Sequence, residues 1–101
     1  MRNEVGFVEK VAITLTKESA VRMFEEARRF DDRSSMIRAL EALANNPTFD
    51  QGWKGPGDQP LYSQVCMAIA RAYGELTNYD AMYQWEKKVP GLPFAQRRHR
   101  N

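Results

Sequence analysis

Val8-Glu9-Lys10-Val11-Ala12-Ile13-Thr14-Leu15-Thr16 sets apolar Val11, Ile13 and Leu15 alternately with Lys10, Ala12, Thr14 and Thr16, and it runs almost without linker into helical periodicity. A period of two in β-branched residues is the pattern of a half-buried strand. No second convincing alternation follows, and a lone strand is unstable in water. The segment is therefore expected either as an edge strand of an α+β domain or as half of an antiparallel ribbon formed with a second copy across a twofold axis. The missing partner strands favour the ribbon.

Thr16 can cap the next turn and Glu18 lies near the positive end of the helix dipole. Ala20, Met23, Phe24, Ala27 and Phe30 then recur at helical spacing, which predicts a helix ending near Asp31. The polar run Asp31-Asp32-Arg33-Ser34-Ser35 supplies N-cap candidates for a second helix, striped by Met36, Ile37, Leu40, Leu43 and Ala44. Asn45-Asn46-Pro47 ends it, because proline disfavours helix in the residue before it.

Lys10 to Thr16, the Glu18 to Phe30 helix and Ser34-Ser35-Met36-Ile37-Arg38-Ala39-Leu40 together resemble the ribbon-helix-helix family of DNA-binding repressors and antitoxins, over residues 8–44 of the 101. The resemblance implies a homodimer whose paired strands lie in the major groove of double-stranded DNA. It would place Lys10, Ala12 and Thr14 against base edges: lysine donates to guanine, threonine bonds either way, and alanine makes apolar contact only. It would place Ser34 and Ser35 at a phosphate, with Arg33 and Arg38 offsetting the charge of Asp31 and Asp32. Family members often carry glycine in the turn where this chain has Asp31-Asp32, and capping is the simpler role for these aspartates.

From Pro47 to Pro60 the composition shifts to Gly, Pro, Asp and Gln, which predicts a loop, with Phe49 and Trp53 expected to pack down on a thin core. Leu61, Val65, Ala68, Ile69, Ala72 and Leu76 mark a third helix. Tyr62, Cys66 and Tyr73 widen its apolar surface, so it is expected to be buried on more than one side. Thr77-Asn78-Tyr79-Asp80 reads as a capping box for a fourth helix carrying Met82, Tyr83, Trp85 and Val89 up to Pro90. The stretch from Ala70 to Trp85 is faintly similar to one tetratricopeptide-type hairpin, but no matching unit of roughly 34 residues occurs in the first half.

The expected fold class is thus mainly α: an N-terminal strand, about four helices, and a ribbon-helix-helix-like dimer with a C-terminal helical hairpin. The parts are a unit over residues 1–46, a loop over 47–60, a hairpin over 61–90 packed on the first unit, and a basic tail over 91–101. Arg97, Arg98 and Arg100 in that tail could touch phosphates without reading sequence, or could simply be solvated.

Composition narrows the function. Fifteen Lys and Arg against 13 Asp and Glu give a net charge of only +2, mild for a DNA binder, although Arg22, Arg28, Arg29, Arg33 and Arg38 crowd the first two helices. Cys66 is the only cysteine and His99 the only histidine, so no internal disulfide, His-containing triad or metal cluster is expected. The glycines of the loop do not follow a strand and do not form a phosphate-binding motif. No signal peptide or membrane span is apparent, and the expectation is a cytoplasmic, non-enzymatic protein without cofactor or metal.

Two functions remain. One is a sequence-specific DNA-binding regulator of repressor or antitoxin type, acting as a homodimer. The other is a small helical protein-interaction module, such as a mobile-element-encoded inhibitor or adaptor, with Trp53, Tyr62, Tyr83 and Trp85 as candidate binding residues because tryptophan and tyrosine dominate interface energetics.

Overall fold

The computed structural model describes residues 13–89, and these form four α-helices joined by short turns and one long loop. They are α1 (Lys17–Ala27), α2 (Arg33–Ala44), α3 (Leu61–Glu75) and α4 (Tyr79–Glu86), with one 3-10 turn at Pro56–Asp58. Packing is between neighbours in sequence: α1 on α2, α2 on α3, α3 on α4.

Only the last four residues of the expected N-terminal strand fall within the described part of the chain. Residues 8–12 lie outside the described residues, and Ile13–Thr16 has no strand assignment. Two backbone groups of Ile13–Thr16 are bonded within the same chain: the Leu15 N–H donates to Thr48 Oγ1 at 2.9 Å, and Asn46 Nδ2 donates to the Ile13 carbonyl at 2.9 Å. Ile13 and Leu15 are two residues apart, so in extended backbone these groups lie on one edge. That edge is occupied by the Asn46-Pro47-Thr48 turn of the same chain.

The α1 start is as its residues predict. Thr16 and Ser19 form a reciprocal capping box, the Ser19 N–H donating to Thr16 Oγ1 at 3.0 Å and the Thr16 N–H to Ser19 Oγ at 2.9 Å. Ala20, Phe24 and Ala27 are buried, whereas Met23 and Phe30 are exposed. The helix ends at Ala27, short of the expected Asp31, so Phe30 falls in the turn and off the stripe.

Asp32 caps α2, accepting from the Ser35 N–H at 3.1 Å and from Ser35 Oγ at 2.7 Å. Met36, Ile37, Leu40, Leu43 and Ala44 are all buried, as their spacing requires. Between α2 and α3 the loop is tightly organised by an antiparallel bridge between Lys54 and Pro60, with the Leu61 N–H donating to the Trp53 carbonyl at 2.9 Å. Phe49 packs against Trp53 and edge-on against Tyr62, ring centroids 5.6 and 5.4 Å apart. These rings rest on the core as a lid.

The centre of the fold is α3. Leu61, Val65, Cys66 and Ile69 have no exposed surface, and Ala70 and Ala72 almost none, so the helix is buried on more than one side between α2 and α4. Full burial of each large aliphatic side chain contributes about 1.5–3 kcal/mol before conformational entropy is subtracted. The α3 end is a Schellman motif, the Asn78 N–H bonding the Tyr73 carbonyl and the Thr77 N–H the Gly74 carbonyl. Thr77 takes the left-handed position (φ 58°), and Asn78 rather than Thr77 caps α4 by accepting from the Ala81 N–H at 3.2 Å. Met82 and Trp85 anchor α4; it ends at Glu86, and Val89 packs in the bend beyond.

Candidate functional site

Among the residues expected at DNA, Arg33, Ser34, Ser35 and Arg38 lie together in the first half of α2. Lys10, Ala12 and the tail arginines Arg97, Arg98 and Arg100 lie outside the described residues; Thr14 is exposed. At the start of α2 the Ser35 amide and hydroxyl already donate to Asp32, whose carboxyl is held below the usual carboxylate range chiefly by the Ser35 hydroxyl and amide. An anion tethered in the chain thus occupies the place where a phosphate would accept. Arg33 turns away to an ion pair with Glu75 at the end of α3. Ser34 and Arg38 are exposed, and Arg38 reaches Ser35 Oγ only at 3.4 Å.

The four aromatic candidates separate into different environments. Trp85 is buried, with the Lys88 ammonium 5.2 Å from its ring centre. Trp53 and Tyr62 belong to the half-buried lid over the core. Only Tyr83 lines an open hollow.

That hollow, about 590 Å³, runs between α3 and α4, with Met67, Arg71, Tyr79, Met82 and Tyr83 among its walls. Met67 and Arg71 also line a second hollow of about 360 Å³, closed on its other side by Phe24 and Arg28 of α1 and by Pro60. Arg71 and Arg28 recur in a third, of about 170 Å³, beside Met36 and Ala72. The shared residues make these three hollows one surface groove along α3. Its floor includes Met67, Ala68 and Ala70; its cations are Arg28, Arg71 and the Glu75-paired Arg33, and Glu75 and Glu86 also line it.

The two guanidiniums differ from that of Arg33. Arg28 is held over the Phe24 ring, 5.2 Å from its centre. Among the described residues neither Arg28 nor Arg71 has a carboxylate partner, whereas Arg33 is neutralised by Glu75. That Arg28 and Arg71 line the same hollows is not legible in the sequence, because one caps the end of α1 and the other lies in α3. Arg28 stood out only as a member of an arginine-rich stretch.

Among the described residues no group of three His, Cys, Asp or Glu side chains could hold a metal ion, and no helix is long and apolar enough to cross a membrane. Burial pushes the Cys66 thiol up to about 11, which keeps it protonated and a poor nucleophile near neutral pH. Comparison with protein-family models, curated proteins and solved structures finds no match to this chain.

Proposed function

We propose that this chain is a small helical module that binds another protein through the groove along α3. The observation that carries this reading is the groove itself: an apolar floor at Met67 and Ala68, Tyr83 on one wall, and two arginines without carboxylate partners, Arg28 and Arg71, on the other side. A concave apolar surface with a few placed polar groups is what a helix or extended segment docks against. Closure of the core in cis supports it as well. The apolar face of α2 is covered by α3, and the Ile13–Leu15 edge is bonded by Asn46 and Thr48, so neither feature requires a second copy.

A second reading is the DNA-binding homodimer. One feature favours it: Thr14 is exposed and Ile13 is 48% exposed immediately before the α1 capping box, the placement a groove-facing ribbon would need. Titration of labelled duplex DNA at low salt separates the two. The protein-binding reading expects no saturable binding at micromolar protein. Saturable binding that collapses with added salt, and that loses sequence preference in Thr14→Ala, would transfer the assignment to the second reading.

A further inference from the structure

Resting on the protein-binding reading, we infer that the groove receives an acidic segment of its partner, with Arg28 and Arg71 gripping carboxylate side chains while its apolar residues lie on Met67 and Ala68. Charge complementarity favours such an occupant. Arg28 and Arg71 line the same two hollows, so two positive charges converge there. Like charges brought together in a concave surface raise its potential and favour an anionic occupant. Neighbouring Glu75 does not relieve this, because its carboxylate is committed to Arg33.

The arginines are also prepared for the task. Stacking on Phe24 limits the freedom of Arg28 before any ligand arrives, which lowers the entropic cost of binding. Guanidinium offers a planar fork that matches carboxylate in two parallel hydrogen bonds. Ser63 and Gln64 at the same hollow add polar groups beside that fork.

A peptide fits this surface better than a nucleic-acid backbone. Phosphates follow one another continuously, whereas the first two hollows offer only Arg28 and Arg71 as cations, beside the apolar Met67 and Ala68. Carboxylates on an amphipathic segment are discrete and alternate with apolar side chains. The groove has a similar mosaic: Arg28 and Arg71 stand beside an apolar floor at Met67 and Ala68, with Glu75 held by Arg33 next to them.

The test uses the full chain and three fluorescent amphipathic peptides of about 16 residues, roughly four helical turns, bearing Glu, Gln or Lys on otherwise identical polar faces. The Glu peptide is expected to bind about tenfold or more tightly than the Gln peptide, and the Lys peptide not to bind. Arg28→Gln and Arg71→Gln should each weaken the Glu peptide about three- to tenfold, Arg22→Gln should not, and added salt should narrow the Glu–Gln gap. Circular dichroism checks that each variant is folded. Equal affinity for Glu and Gln peptides, unaffected by either arginine variant yet lost in Tyr83→Ala, would overturn the acidic partner and leave the groove as a protein site. Failure of all three peptides, with the resonances of Met67 and Tyr83 unmoved, would remove both proposals. Displacement of the Glu peptide by duplex DNA that depends on Arg28 and Arg71 would overturn the acidic partner in favour of phosphate.

Discussion

Tyr73 of α3 donates its phenolic proton to Glu41 of α2 at 2.6 Å, a side-chain bond between two helices whose other contacts are largely apolar. The carboxylate accepting that bond, reinforced by burial, pushes the Tyr73 phenol up to about 12 from its ordinary 10.0. The folded chain therefore keeps this proton at pH values where the unfolded chain has lost it. The stabilisation is complete below the ordinary tyrosine value and is lost as pH rises from 10.0 towards 12. Cys66, raised from 9.0 to about 11 by burial, acts in the same sense at slightly lower pH. Urea denaturation at about pH 8 and about pH 11 should show lower stability at the higher pH. In Tyr73→Phe the neutral-pH stability should fall by roughly 1 kcal/mol and the alkaline loss should become shallower.

Asn46 ties the N-terminal segment to the rest of the fold. It is 7% exposed, donates to the Ile13 carbonyl, and accepts from both the N–H and the hydroxyl of Thr48 at 2.8 and 2.7 Å. Asn46→Ala breaks all three and should cost about 2–3 kcal/mol, since groups left unsatisfied cost more than the mean bond is worth. Thr48→Val removes the acceptor of the Leu15 N–H together with the hydroxyl that donates to Asn46 Oδ1, while leaving the Asn46 bond to Ile13 in place. Hydrogen exchange at Leu15 should then accelerate about tenfold or more, with the core amides of α3 unchanged.

Thr77 holds a conformation that suits glycine. Its φ of 58° places a β-branched residue in the left-handed region at the end of α3, where the Schellman motif normally takes glycine. Thr77→Gly relieves that strain and should stabilise the chain by about 0.5–1 kcal/mol, raising Tm by a few degrees, roughly what a domain of this size shows per kcal/mol.

Gly55 is required for a different reason, which is space. A methyl group there would stand 2.8 Å from Leu61 Cδ1, a side chain with no exposed surface, and would also press on Gln64 Oε1. Gly55→Ala should cost about 1–3 kcal/mol. Because the Gly55 N–H closes the loop onto the Gln59 carbonyl at 2.7 Å, the Phe49–Trp53–Tyr62 lid should loosen with it, and Trp53 fluorescence should shift to the red.

The helices were legible in the sequence wherever a buried stripe and a cap coincide. Met36, Ile37, Leu40, Leu43 and Ala44 occupy the inner face that their spacing prescribes, and Asp32 caps the helix that carries them. In the Ile13–Thr16 segment a period of two predicts extended backbone without saying where its hydrogen bonds go. Those bonds end on Asn46 and Thr48, each 33 residues from its partner in the segment, and no local pattern encodes a side chain that distant. Phe30 was placed on the stripe because the stripe was extended past Ala27, where the helix ends, whereas Met23 lies within the helix but at the margin of its buried face. The groove was hidden for a related reason. Arg28 and Arg71 meet only because α1, α2 and α3 pack in succession, and each alone reads as a solvated charge.

The mass of the chain in solution tests most directly whether this fold is complete without a second copy. Multi-angle light scattering across micromolar concentrations should return the 11.7 kDa of one chain at every concentration. A mass of twice that value, persisting on dilution and lost when Ile13 is replaced by a charged residue, would contradict closure within one chain and restore the ribbon dimer.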